Sequence, residues 1–262
     1  MKGFYAALIT ETLKVRKSKM LWITLLFFTF LAVMMGMLML VAKHPDIAGN
    51  SPVISTKASL IAKADWPTYF ALLLQMALVL GTLGSGIVTV WIFGREYSDR
   101  VIKDILALPV SRYNIVLSKS IITFVWSLFL LLVLFFAAVL TGRMIKLDGW
   151  TSHIFFENTK NFTTASLLSI LLFTPVSLIT SASRSYLLPV GFIILMMIVT
   201  QLVGVGLPFI MPYFPWAIPA LISGVAGPAS PEANAFSWII LGITILLGYA
   251  GTALWWRFAD QH

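Results

Sequence analysis

The charged side chains of this sequence gather in one stretch, Phe93 to Lys119, and their types suit ion pairing and docking rather than bond-making. Glu96, Tyr97, Asp99, Arg100, Lys103 and Asp104 fall within nine positions, between apolar runs longer than 20 residues. A charge in hydrocarbon costs kilocalories, so this insert belongs at a membrane face, where it can meet a soluble partner. Asp99, Arg100, Lys103 and Asp104 are spaced for pairing along a short helix. Val101, Ile102, Ile105, Leu106 and Leu108 give that helix an apolar side. Pro109 ends it, and Ser111 is placed to cap the next helix, with Arg112 in its first turn. Two uses fit this pattern: a docking surface for a soluble protein, or an amphipathic connector resting on headgroups.

Covalent chemistry finds little support. There is no cysteine, which removes disulfides, thiolate metal sites and cysteine nucleophiles. Gly81-Thr-Leu-Gly-Ser-Gly86 is rich in glycine but lacks the Lys-Ser/Thr of a phosphate-binding loop. In a span, these glycines fit close helix packing. Ser85 has no base within reach, because His44, His153 and His262 all fall outside the apolar runs. No catalytic residue, metal site or bound cofactor is expected in this chain, and it reads as a non-enzyme. Uncharged polar residues remain inside the runs. Gln75 and Thr82 lie in the second, and Thr200 and Gln201 in the fifth. An amide in lipid is costly, so these residues face either neighbouring helices or a translocation path.

The elements that must position these groups are transmembrane helices. With 59% hydrophobic and 11% charged residues, against roughly 25% charged in soluble domains, the chain reads as an all-α membrane protein of one domain, 1–262. Six runs are long enough to cross a ~30 Å core: Met20–Ala42, Pro67–Phe93, Ser120–Gly142, Phe162–Ser183, Tyr186–Leu207 and Phe236–Trp256. None contains Asp, Glu, Lys, Arg or His, so no proton relay is built into the spans. Energy for transport would have to come from a partner. Twelve Lys and Arg flank one side of the six runs and six flank the other. That bias puts both termini and the 94–119 loop in the cytoplasm. The +8 net charge is this topology signal, not a nucleic-acid footprint. No cleavable signal peptide is evident.

Three further segments stand out. Residues 1–19 read as an interfacial helix, with Phe4, Leu8, Glu11 or Thr12, and Val15 at helical spacing beside Lys2, Lys14, Arg16 and Lys17. Trp22, Trp66, Trp91 and the Trp255-Trp256-Arg257 tail read as interface anchors. Pro175 and Pro189 are candidate kinks. Residues 208–231 hold half of the twelve prolines, and no charge falls between Leu207 and Ser230. Such apolar, broken backbone fits a re-entrant segment at the outer face. Phe209, Tyr213, Phe214 and Trp216 would then serve as an outer gate, or simply as a hydrophobic plug.

Phe93-x-x-Glu96, Val101 to Leu106, Pro109-Val-Ser-Arg112, Ile115 and Lys119 together resemble the cytoplasmic loop of type-2 ABC exporter permeases. The likeness extends along nearly the whole chain, and the size resembles the bacitracin-resistance and lantibiotic-immunity permeases of Gram-positive bacteria. Val101-Ile102 departs from the Gly-Thr of many relatives. The resemblance implies a coupling helix in the 94–119 loop, seated in a separate ATP-binding subunit that carries ATP and Mg. It implies two such subunits and a second permease, identical or homologous, in a bacterial plasma membrane. Closure of the ATPases would act on Glu96, Arg100 and their neighbours, and the path would run between permeases by spans one, two and five. Export of a peptide antibiotic is the reading that follows. Export of a lipid, drug or other amphiphile, and a non-transporting scaffold or sensor, are the alternatives.

Overall fold

The computed structural model describes residues 2–44, 63–102, 110–227 and 230–258. Lys103, Asp104 and the rest of the expected coupling helix, 103–109, lie outside the described residues, as do 228–229 of the Pro-rich segment. Helix α1 covers Lys2–Arg16, α2 Lys19–Lys43, α3 Trp66–Ser98 and α4 Arg112–Met144. They are followed by α5 Ser152–Leu171, α6 Phe173–Ser183 and α7 Leu187–Gly206. A short 3-10 helix Pro208–Tyr213, α8 Ile218–Ile222 and α9 Ala235–Phe258 complete the order. Six helical units are long and apolar enough to cross a membrane: α2, α3, α4, α5 with α6, α7 and α9.

Local chemistry sets several of these boundaries. Ser18 accepts from the Met20 N–H, Asp65 from Thr68 N–H and Thr151 from Ile154 N–H, satisfying donors at the starts of α2, α3 and α5. Ser111 precedes α4 but makes no capping bond with its side chain. Helix α3 runs past the apolar limit read from the sequence as far as Ser98, and α4 begins about two turns before its own at Arg112, carrying Glu96 and Lys119 on continuous helix.

Helix α3 is the centre of the bundle and packs against α4, α5, α6 and α7. Three of its glycines each admit a neighbouring helix. A Cβ on Gly81 would lie 2.8 Å from Ser169 of α5, one on Gly84 2.6 Å from Phe28 of α2, and one on Gly86 2.5 Å from Ile193 of α7. Small residues allow such approach where the lipid supplies no hydrophobic drive for helix association.

The break between α5 and α6 falls at Leu172, three residues before Pro175, which cannot donate to the Leu171 carbonyl. Helix α9 packs into this break. A Cβ on Gly248 would lie 2.5 Å from the backbone of Thr174 and Pro175. Ser177 and Thr252 hydroxyls meet at 2.9 Å, and Trp256 Nε1 donates to Ser181 Oγ at 3.0 Å. Pro189, read from the sequence as a second kink, instead sits in the first turn of α7, where its missing N–H breaks no helical bond.

The tryptophans divide. Trp22 is exposed, as an interface anchor would be. Trp66 and Trp256 are not anchors, because both are buried. Trp66 packs over Gly142 and beside Tyr69, Phe70 and Trp150, and Trp256 closes the core between α6 and α3. Helix α1 packs against α4, with Glu11 and Val15 buried, whereas Tyr5, Ile9 and Leu13 are exposed. The Phe4–Leu8–Glu11–Val15 stripe therefore faces protein.

Candidate functional site

At the end of the bundle where α3 finishes and α4 begins, four charges meet inside the protein. Glu96 is 2% exposed, Lys119 1% and Glu11 5%. Lys119 Nζ donates to Glu96 Oε1 at 2.8 Å and to the Ile92 carbonyl at 3.1 Å, and lies 3.3 Å from Glu11 Oε1. Lys14 Nζ donates to Glu11 Oε1 at 2.7 Å and to Glu96 Oε1 at 2.9 Å. Two cations thus balance two carboxylates, which is how charge is tolerated in a desolvated place. Burial depresses the Lys14 pKa, but the Glu96 and Glu11 carboxylates outweigh it and hold the ammonium above the ordinary lysine value. The cluster ties α1, α3 and α4 together at one point.

The remaining described insert residues leave this interior in sequence order. Tyr97 is half-buried, its ring 6.3 Å from that of Trp256. Asp99 is exposed and pairs back to Arg95 at 3.1 Å, one turn earlier on α3. Arg100 is exposed and takes a left-handed conformation, φ 56°. Its N–H donates to Tyr97 O at 3.2 Å and the Val101 N–H to Glu96 O at 3.1 Å, the double closure that ends a helix. So Glu96 is an interior residue of α3, and Arg100 is the exposed charge at the start of the insert.

The four polar span residues converge elsewhere. Gln75, Thr82, Thr200 and Gln201 line one cavity of about 360 Å³ between α3 and α7. Met211, Trp216 and Ala220 of the Pro-rich segment line it too. Thr200 donates its hydroxyl to its own helix, at Met196 O. Gln75 and Gln201 are exposed, and neither amide makes an interhelical hydrogen bond among the described residues. Of the four aromatics singled out as a gate, only Trp216 reaches the cavity. Its ring lies 5.6 Å from Phe192 and 5.8 Å from Phe214. Phe214 packs with Val203, Met211 and Ala217, whereas Phe209 and Tyr213 are exposed.

Sequence reasoning missed Glu11, Lys14 and Lys119 as partners of Glu96. One signal was present: Glu11 is the only acidic residue among the first 44, three positions before Lys14 on an otherwise basic helix. The 82-residue separation of Lys14 from Glu96 hid the rest.

Comparison with known proteins agrees with this architecture. The family described as ABC-2 family transporter protein matches residues 7–200. The bacitracin transport permease protein of Bacillus licheniformis is 28% identical over 190 residues, covering 72% of this chain and 89% of that protein. A match over most of the chain, on a bundle of six membrane-length helices, places this protein in the ABC-2 family of transporter permeases.

Proposed function

We propose that this chain is the membrane permease of an ATP-driven exporter that protects a bacterium from a peptide antibiotic, bacitracin being the first to test. The observation that carries the transport half is the cavity between α3 and α7. Two glutamine amides sit there on membrane-length helices without a protein partner among the described residues. Amides in that position are costly unless they face a second subunit, water or cargo. A path shared with a second permease along α7, whose outward face is apolar, satisfies them. The peptide half rests on the likeness to a bacitracin transport permease.

In this reading the Glu96 end faces the cytoplasm, where the excess of Lys and Arg belongs. A separate ATP-binding subunit docks on the 94–119 insert through exposed Asp99 and Arg100, and supplies ATP and Mg. Two such subunits serve two permeases. Closure of the ATPases moves the ends of α3 and α4, and the buried Glu96 cluster passes that motion to α1. The Pro-rich segment closes the outer side of the path, with Trp216 as its cavity-facing residue.

Bacitracin sensitivity tests the reading. In a strain lacking the chain, wild-type protein should restore resistance. Gln201→Leu and Gln75→Leu, at equal membrane abundance, should restore at most a small part of it. Equal resistance from the double variant would reject the cavity as the path. Unchanged sensitivity to bacitracin and other peptide antibiotics on deletion would reject the antibiotic assignment.

A further inference from the structure

A second cavity, of about 560 Å³, opens at the Glu96 end between α1, the last turns of α3 and the start of α7. Lys14, Lys17, Ser18, Arg95, Trp91 and Tyr186 line it. Its cations differ in availability. Lys14 is already held by Glu11 and Glu96. Lys17 is exposed and has no ion-pair partner among the described residues. Arg95 is stacked with its guanidinium carbon 5.1 Å from the centre of the Trp91 ring. It bonds to Asp99 through Nε, and its terminal nitrogens make no hydrogen bond among the described residues. Asp99 is the cavity's own acid, and Glu11 and Glu96 behind it are neutralised by Lys14 and Lys119. The lining keeps an excess of positive charge, with free N–H donors on Lys17 and Arg95.

Exposed leucines lie beside it in the chain. Leu13 on α1 is 47% exposed, and Leu187 and Leu188 at the start of α7 are 83% and 58% exposed. A cationic recess beside exposed leucines, at the end of membrane-length helices, suits an amphiphile with an anionic head and acyl chains. A guanidinium prefers phosphate oxygens in paired geometry, and a planar arginine fixed on an indole ring is pre-organised for it.

We propose that this cavity is a binding site for an anionic phospholipid, whose headgroup phosphate is held by Lys17 and Arg95 while its chains lie against Leu187 and Leu188. The site depends on the chain being a membrane protein and not on what the permease exports. A lipid seated there would fasten α1 to the end of α3 beside the ion cluster.

The test uses the full chain purified in detergent, with phosphatidylglycerol, phosphatidylcholine or inorganic phosphate added. Lipid retention is read by native mass spectrometry and protein stability by the shift in Tm. Phosphatidylglycerol should be retained and raise Tm, phosphatidylcholine far less, and inorganic phosphate alone not at all. In the Lys17→Gln/Arg95→Gln variant the apparent affinity for phosphatidylglycerol should fall about tenfold or more, as expected for two cations near an anionic lipid. The Lys160→Gln control should keep it. Should the double variant fold poorly, Lys17→Gln alone, at an exposed side chain outside the ion cluster, must still weaken retention. Equal retention by variant and wild type, or equal retention of phosphatidylcholine, overturns the proposal. A full Tm shift from inorganic phosphate overturns the lipid assignment in favour of a free anion.

Discussion

Removing the Lys119 ammonium would leave the buried Glu11 and Glu96 carboxylates sharing the single cation of Lys14. Taking one partner from a buried ion group costs about 3–5 kcal/mol, because an uncompensated charge stays behind. Lys119→Met should therefore lower thermal stability in detergent strongly. Lys43→Met, which removes a pair with exposed Asp148, should cost under about 1 kcal/mol. Similar melting losses in the two variants would contradict the cluster. Its pH dependence has a definite sign. The Lys14 pKa is raised in the folded protein, so the stability it contributes is fully present below the ordinary value of 10.5 and is lost as pH rises through the higher folded value. Wild type should show an alkaline fall in Tm that Lys14→Gln lacks, and superimposable pH curves would count against the assignment. The sequence singled out Glu96, but its buried setting was not legible there. A carboxylate beside charged neighbours looks exposed until α1 and α4 fold over it, and no local pattern links positions 11, 14, 96 and 119.

Among the elements, the α6–α9 packing makes the sharpest claim. Gly248 abuts backbone, so Gly248→Ala must push the helices apart, whereas Gly242 has open space around its Cβ position. Gly242→Ala should be neutral or slightly stabilising, since alanine is the better helix former by roughly 1 kcal/mol. Gly248→Ala should reduce both folded yield and Tm, and equal behaviour of the two would show that the helices are not in that register. The end of α3 offers a second check. Arg100 holds a left-handed conformation that costs a side-chain-bearing residue about 1–2 kcal/mol, so Arg100→Gly should raise Tm even as it removes a charge. Helix existence was readable from uninterrupted apolar runs, and the glycines of α3 were readable as packing sites. The break at Leu172 followed from Pro175. Pro189 did not act as a kink because position within the helix decides what a proline costs, and boundaries are where sequence patterns are weakest. The buried Trp66 and Trp256 were misread for a related reason. Terminal aromatics mark an interface, but do not tell lipid from a neighbouring helix.

For the whole molecule, family and bundle agree on an ABC-2 transporter permease. Composition alone reached the membrane class, because the chain is too apolar and too poor in charge for a soluble domain. Gln75, Thr82, Thr200 and Gln201 were separable from the apolar background in the sequence, but only the packing of α3 and α7 shows that they line one cavity. The aromatic members of the Pro-rich segment were not sorted by sequence, because its backbone has no periodicity from which to infer facing. The central claim is that ATP hydrolysis in a separate subunit drives this permease through the exposed start of the insert. Its most direct test is ATP turnover by the purified complex in proteoliposomes, with and without bacitracin, for wild type and Arg100→Glu. The wild-type complex should retain the ATP-binding subunit and hydrolyse ATP faster when the peptide is added. Arg100→Glu should keep its fold but lose the stimulation. A variant stimulated as fully as wild type, or a chain that retains no ATP-binding subunit, would contradict the account.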